Sequence, residues 1–326
     1  MKRFSLITLL LGLAAALLPF QAPAQEKYPD RPITLVIPLG AGGSHDLHAR
    51  GVTGIISDIL GQPMVVKLLP GGAGMRGTTF AAQAKPDGYT VLFTHNGLDQ
   101  LVPQTQNVPF DPLKDFKTIA RINYAEPIFM AHDSAPFKSL QGFIDYAKKN
   151  PGKVNFGHSG VWGALHTPTA QLLKATGIKV NLIPHKGGGP SLQALLAKQD
   201  HIGGLFATQA RPHVKAGKLI PLAVAGETRL KNDPDFKNVP TTAELGYPAV
   251  SFTMDRIFMA PAGVPEERLK VLRDAFEKLT ENRSFKNFMK NIGEEVEFMR
   301  GEDYDKARSK RYAEFGELIK TMTEKK

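Results

Sequence analysis

The stretch ITLVIPLGAGGSHDLHAR (residues 33–50) passes from aliphatic and β-branched residues, through three glycines in four positions, into a segment with helical periodicity. A strand that turns on glycine into a helix is the repeating unit of parallel α/β architecture. The helix continues through VTGIISDIL, where Val52, Ile55, Ile56, Ile59 and Leu60 share one face, and stops at Gly61 with Pro63 just beyond. MVVKLL and YTVLFTH repeat the strand signal, separated by TTFAAQAK.

A second set begins at PIFMAH. SLQGFIDYAKKNPG reads as a helix and KVNFGH as a strand. TPTAQLLKATG carries Thr167 as N-cap, Pro168 at the first helical position and Gly177 as the stop. IKVNLIP and LIPLAVAG read as strands around the helix PSLQALLAK, and FTMDRIFMAP as a returning strand. Two amphipathic helices, PEERLKVLRDAFEKLTE and GEDYDKARSKRYAEFGELIKTMTEKK, close the chain. The layout predicts two α/β lobes joined by extended crossings near residues 120–125 and 248–256. The expected division is a first lobe of residues 25–123 and 249–326, and a second of 124–248.

Residues 1–24 are set apart. Lys2 and Arg3 precede the apolar run FSLITLLLGLAAALL, and Ala22-Pro23-Ala24 fits an A-x-A cleavage site, the pattern of a secretory signal peptide. No later run is long enough to span a membrane. The absence of cysteine excludes disulfides, thiolate ligands, cysteine nucleophiles and lipidation at an N-terminal cysteine. These features point to a freely diffusing exported protein, in a bacterial periplasm rather than an animal secretory route. Two of the 41 Lys and Arg and none of the 31 Asp and Glu fall in the signal segment, so the mature chain carries a formal charge of +8. No basic run exceeds two residues and no aromatic residues interleave with them, which argues against nucleic acid and leaves either a solvated basic surface or a mild preference for anions.

Ligands of α/β folds bind at strand-to-helix turns, and three turns share a glycine-rich character: LGAGGSHD (39–46), GHSGVWGALH (157–166) and HKGGGPS (185–191). Glycine admits close backbone approach, and a helix start adds free N–H donors. GAGMRG (72–77) matches G-x-G-x-x-G, but no acidic residue ends the following strand, and Thr78 stands where a P-loop needs Lys. GHSGV lacks the second glycine of a nucleophile elbow, which argues against Ser159 as a nucleophile. His45 and His48 have metal-ligand spacing with a third ligand to come from His158, His166 or His185; the competing expectation is that His48 faces solvent and His45 the turn. The remaining use of such turns is a carboxylate grip built from three or four backbone amides, each charged hydrogen bond returning roughly 1.5–3 kcal/mol.

The stretches RPITLVIPLGAGGSHDLHAR, LGQPMVVKLLPGGAGMRGTTFAAQAKPDGYTVLF, VPFDPLKDF, AGKLIPLAV, VPTTAELGYP and MAPAGVP together resemble the substrate-binding proteins of tripartite tricarboxylate transporters, the Bug or TctC family, over essentially the whole mature chain. The resemblance implies a type II periplasmic binding protein, a two-lobed clamshell without catalytic activity, cofactor or metal. It implies a monomer that captures a small aliphatic or aromatic mono- or dicarboxylate for a two-component membrane permease; a sensor-kinase partner, or a secreted nucleotide- or metal-dependent enzyme, is the alternative. Carried over, the anchor is Gly42, Gly43 and Ser44 with His45 alongside, facing His158, Ser159, Trp162 and Gly163, with Thr94 and Asn96 lining the cleft. This sequence departs from the family's usual residues at His158, Trp162, Gly163, His185, His201 and in MDRIF. His158 and His185 are expected to donate to a second carboxylate. Arg256 is expected either to meet that carboxylate or to pair with Asp255 at the surface, and Trp162 either to cover the hinge or to stack on a flat ligand.

Overall fold

The structure, a computed structural model, describes residues 27–323; the expected signal segment lies outside the described residues. Strand β1 (Ile33–Ile37) pairs in parallel with β2 (Met64–Leu68) on one side and β3 (Thr90–His95) on the other. The intervening helices are α1 (Ser44–Leu60) and α2 (Met75–Ala82). Apart from half-buried Thr34, β1 is buried along its length, as its unbroken apolar run requires in a sheet covered on both faces. Helix α1 ends where Gly61 adopts φ 73° and donates its N–H to Ser57, the left-handed stop that glycine makes cheap.

The sheet is completed by strands from further along the chain. β4 (Phe116–Ala125) and β10 (Met254–Pro261) are antiparallel partners, and β10 also pairs with β3. A two-residue β11 (Met299–Arg300) adds the edge, for an order β11-β4-β10-β3-β1-β2. Phe93 and Phe258 stack across β3 and β10 at 4.1 Å, with Phe276 of α7 (Glu266–Glu281) 4.4 Å from Phe258. Asn282 caps α8 (Arg283–Asn291), accepting from Ser284 and Phe285.

The second sheet has the order β7-β6-β8-β5-β9. Its strands are β5 (Ile128–His132), β6 (Asn155–His158), β7 (Asn181–Pro184), β8 (Ile202–Leu205) and β9 (Leu219–Val224). Its helices are α3 (Leu140–Lys149), α4 (Thr167–Thr176), α5 (Gly188–Leu196) and α6 (Ala207–Lys215). The N-cap of α4 is His166 rather than Thr167, which is already the first helical residue. The chain is therefore two-lobed α/β, one lobe around each sheet.

The expected crossings are partly paired strand: residues 120–125 finish β4, residues 248–253 are turn and irregular chain, and Met254 at the head of β10 pairs with Ala125. The sequence reading also missed β8, α6, α8 and β11. The C-terminal helix α9 (Gly301–Thr323) lies along the first sheet, with Arg308 buried against Asp99. Its far end reaches α4, where Lys174 donates to the Thr321 carbonyl. No helix among the described residues is long and apolar enough to cross a membrane.

Candidate functional site

The starts of α1 and α5 meet face to face between the lobes. Gly40 N–H donates to the Lys186 carbonyl at 2.8 Å. A Cβ built on Gly189 would lie 1.9 Å from the Ala41 oxygen, and one on Gly43 would lie 3.0 Å from the Gly189 nitrogen. The glycines of these turns thus permit one lobe's backbone to touch the other's. The third turn repeats the pattern: Gly160, at φ 121°, would set a Cβ 3.3 Å from Cα of Ala73, within the GAGMRG stretch.

Two adjoining cavities occupy the seam and share Leu39 and Ser159. The inner one, only ≈ 20 Å³, is lined by Gly43, Ser44, His45 and His95 from the first lobe and by Ser159, Leu165, Phe206 and Gln209 on the facing side. No Lys, Arg, Asp or Glu lines it. The outer one, ≈ 210 Å³, is bounded by Gly71 to Gly74, Ser159 to Val161, His185 and Lys186.

The expected amide grip is partly occupied by the protein itself. Gly42, which is exposed, donates to Asp46 at 2.9 Å, and Ser44 N–H donates to Oε1 of Gln209 at 2.9 Å. The Gln209 amide in turn donates to the Gly188 carbonyl at 3.0 Å, so this side chain bridges both helix starts. Gly43 N–H has no protein acceptor among the described residues. Asn96 does not line either cavity: it holds β3 to the returning chain through the Thr253 carbonyl and the Asp255 amide. Thr94 is fully buried; its carbonyl accepts from His45, and its hydroxyl has no partner among the described residues.

Arg256 and His48 depart furthest from expectation. Arg256 is neither at the surface nor paired with Asp255. It is fully buried, with its guanidinium on both oxygens of Glu294 (2.5 and 3.0 Å), on Asn123 and on the Ser44 hydroxyl. His48 is fully buried rather than solvent-facing, and its two ring nitrogens meet the Ser44 carbonyl at 2.7 Å and Glu294 at 3.0 Å. Both are thereby unavailable to a metal. Burial first, and then the Arg256 charge, push the His48 pKa down, against the pull of Glu294 and the Ser44 carbonyl. Burial alone would raise Glu294; the Arg256 charge and the bonds from His48 and Thr208 instead hold it well below the usual carboxylate range. Asp255 pairs with Arg311 and Arg121 and accepts from Tyr304.

The histidines are mostly buried and neutral. Burial carries His95 down to about 3, His166 to about 3 and His158 to about 4, and depresses His45 well below its ordinary value. His185 lines the outer cavity but donates to Asp200 at 2.7 Å, and His201 accepts from the Asn155 amide. Trp162 lines neither cavity. Its backbone is left-handed at φ 59°, its amide donates to His166, and its half-buried ring stands edge-on to His166 at 5.6 Å. Gly163 N–H is spent within the turn on the Gly160 carbonyl.

Sequence reading missed Gln209, Thr208, Glu294, His95 and Phe206. Gln209 and Thr208 sit on a helix interrupted by Pro212, and Glu294 follows a short helix in a polar stretch. None of them carries a glycine signal or a periodic one.

The chain matches the family model described as tripartite tricarboxylate transporter family receptor over residues 48–323. It is 36% identical over 299 residues to the UPF0065 protein in gbd 5'region of Cupriavidus necator, covering 91% of this chain and 88% of that one. Its fold matches the periplasmic binding protein BugD with a TM-score of 0.86 at 28% identity, covering 90% of this chain and 98% of that one. It matches R. palustris Rpa4515 with adipate at a TM-score of 0.84 and 26% identity, with the same coverage. A two-lobed fold, glycine turns that meet at an inner cavity free of charged side chains, and a family match over most of its length place this chain in the tripartite tricarboxylate transporter (TctC/Bug) family of periplasmic substrate-binding receptors, which are not enzymes.

Proposed function

We propose that this chain is an exported receptor that closes its two lobes on a small carboxylate and delivers it to a two-component membrane permease. The observation that carries this reading is the meeting of two glycine-started helices, α1 and α5, at a cavity lined by no ionised side chain. Each helix start presents backbone donors and the positive end of a dipole. The Gln209 carboxamide now occupies the Ser44 N–H, and a carboxylate is the stronger acceptor and displaces it. The apolar wall of Leu39, Leu165 and Phe206 suits the carbon body of an organic acid. Adipate in the Rpa4515 structure supports the ligand class. The strands around Ala125 and Met254 serve as the hinge, the lobes take the boundaries expected from sequence, and the monomer acts after removal of residues 1–24.

The test is a thermal-shift screen of the mature protein against aliphatic and aromatic mono- and dicarboxylates, with sugars, NAD and zinc alongside. An acid at 100 times its Kd stabilises by about 2.7 kcal/mol. Stabilisation by NAD or zinc and by none of the acids defeats the reading.

A further inference from the structure

Resting on that carboxylate reading, we propose that the outer cavity seats a second carboxylate, with Lys186 and the free amides of Gly72 and Ala73 as its partners. The receptor thereby selects dicarboxylates over acids of the same shape that carry one charge.

The two seam cavities differ in what they hold. The inner one, ≈ 20 Å³, has room for about one water-sized group. No Lys, Arg, Asp or Glu lines it, so one carboxylate there meets backbone and neutral donors alone. The rest of a ligand must pass the shared wall of Leu39 and Ser159 into the outer cavity of ≈ 210 Å³. A second charged group therefore lands in the outer cavity, and its lining decides whether that group is welcome.

That lining favours an anion from both lobes. Lys186 is the one Lys, Arg, Asp or Glu among the outer cavity's lining residues. Its backbone is pinned at the seam, where its carbonyl accepts from Gly40. Its side chain is exposed and has no acidic partner among the described residues. Neighbouring His185 is already committed to buried Asp200 at 2.7 Å. The opposite wall belongs to the turn that opens GAGMRG (72–77). Gly71, Gly72, Ala73 and Gly74 take φ of 132°, 56°, 50° and 92°. A turn of this kind gathers successive backbone N–H groups into a concavity that favours anions. The N–H groups of Gly72 and Ala73 have no protein acceptor among the described residues. Exposed Arg76 adds a further positive charge beside the turn: a Cβ built on Gly71 would lie 3.6 Å from its Cδ. An exposed lysine contributes little in open water and more once closing lobes shield the pair. A diacid thus holds the seam at two points, its first head on the helix starts and its second between the turn and Lys186.

The experiment is calorimetry with pairs that match in shape and differ by one charge: succinate with succinamate, adipate with adipamate, and benzene-1,4-dicarboxylate with its monoamide. It uses the mature protein and its Lys186→Met and Lys148→Met variants. Lys148 is exposed on α3 and lines neither cavity, so its loss lowers the net charge equally without touching the seam. A diacid is expected to bind about fivefold or more tighter than its monoamide in the wild type and in Lys148→Met. In Lys186→Met that ratio is expected to fall below about twofold while monoamide affinity holds within about twofold. Equal affinity within every pair that binds overturns the proposal, as does an unchanged ratio in Lys186→Met or the same fall in Lys148→Met. If no acid of either kind binds, the carboxylate reading itself falls and takes this inference with it.

Discussion

Gly189 and Gly43 show what single positions decide. A methyl group at Gly189 would stand 1.9 Å from a carbonyl oxygen of the opposite lobe, a contact that no side-chain adjustment relieves. The collision exists only when the lobes are shut, so Gly189→Ala is expected to fold with near-normal thermal stability and to lose about 100-fold or more in acid affinity, or about 2.7 kcal/mol. Gly43→Val acts in the same direction by crowding the Gly189 amide. Gly54→Ala, where a Cβ meets nothing within 4 Å, is the control. Calorimetry with an acid found in the screen checks all three, and wild-type affinity in Gly189→Ala would sink the closed-seam account. These glycines were legible in sequence as a site. Their reason was not, because a contact between residues 41 and 189 has no local signature.

Helix α6 is the element that latches the lobes. Within two consecutive residues it places Thr208 on Glu294 and Gln209 on the Ser44 amide, both belonging to the first lobe. Arg211 on the same helix pairs with Asp233 at 2.6 Å and donates to the Ile292 carbonyl, steadying the turn that carries Glu294. Hydrogen bonds to a charged group contribute about 1.5–3 kcal/mol. Thr208→Val, which does not touch the cavity lining, should therefore shift the lobes toward an open state. The expected readout is a larger radius of gyration in small-angle scattering of the unliganded protein and an affinity loss of about tenfold. An unchanged radius together with unchanged affinity would show that α6 is packing rather than a latch. The amphipathic helices were readable from their apolar periodicity. A short helix holding Arg211, Pro212 and His213 offers no such stripe, so its role emerged only with its partners in place.

At the scale of the whole molecule, burying imidazoles in the seam ties stability to pH. His45, His95, His158 and His166 are all depressed in the folded chain, by burial first. The unfolded chain takes up protons near pH 6.5, whereas His158 in the folded chain waits until about 4. Between those values the unfolded state holds more protons, so stability is full above pH 6.5 and falls as the pH drops. Each such histidine removes at most about 1.4 kcal/mol per pH unit. Urea unfolding at pH 7, 6 and 5 should show a steady decline corresponding to more than one proton; a flat profile down to pH 5 would mean that these rings are not buried as neutral groups. Most strands, the main helices, the two-lobed plan and the glycine turns were determined by the sequence itself, because period, β-branched runs and glycine at a helix start act over a few neighbouring residues; the short strands β8 and β11 were not. What only the tertiary structure decided was the charge plan of the site. Arg256 and Glu294 are 38 residues apart, and each is buried only because the other neutralises it. That pairing turns an expected ligand cation into a structural one.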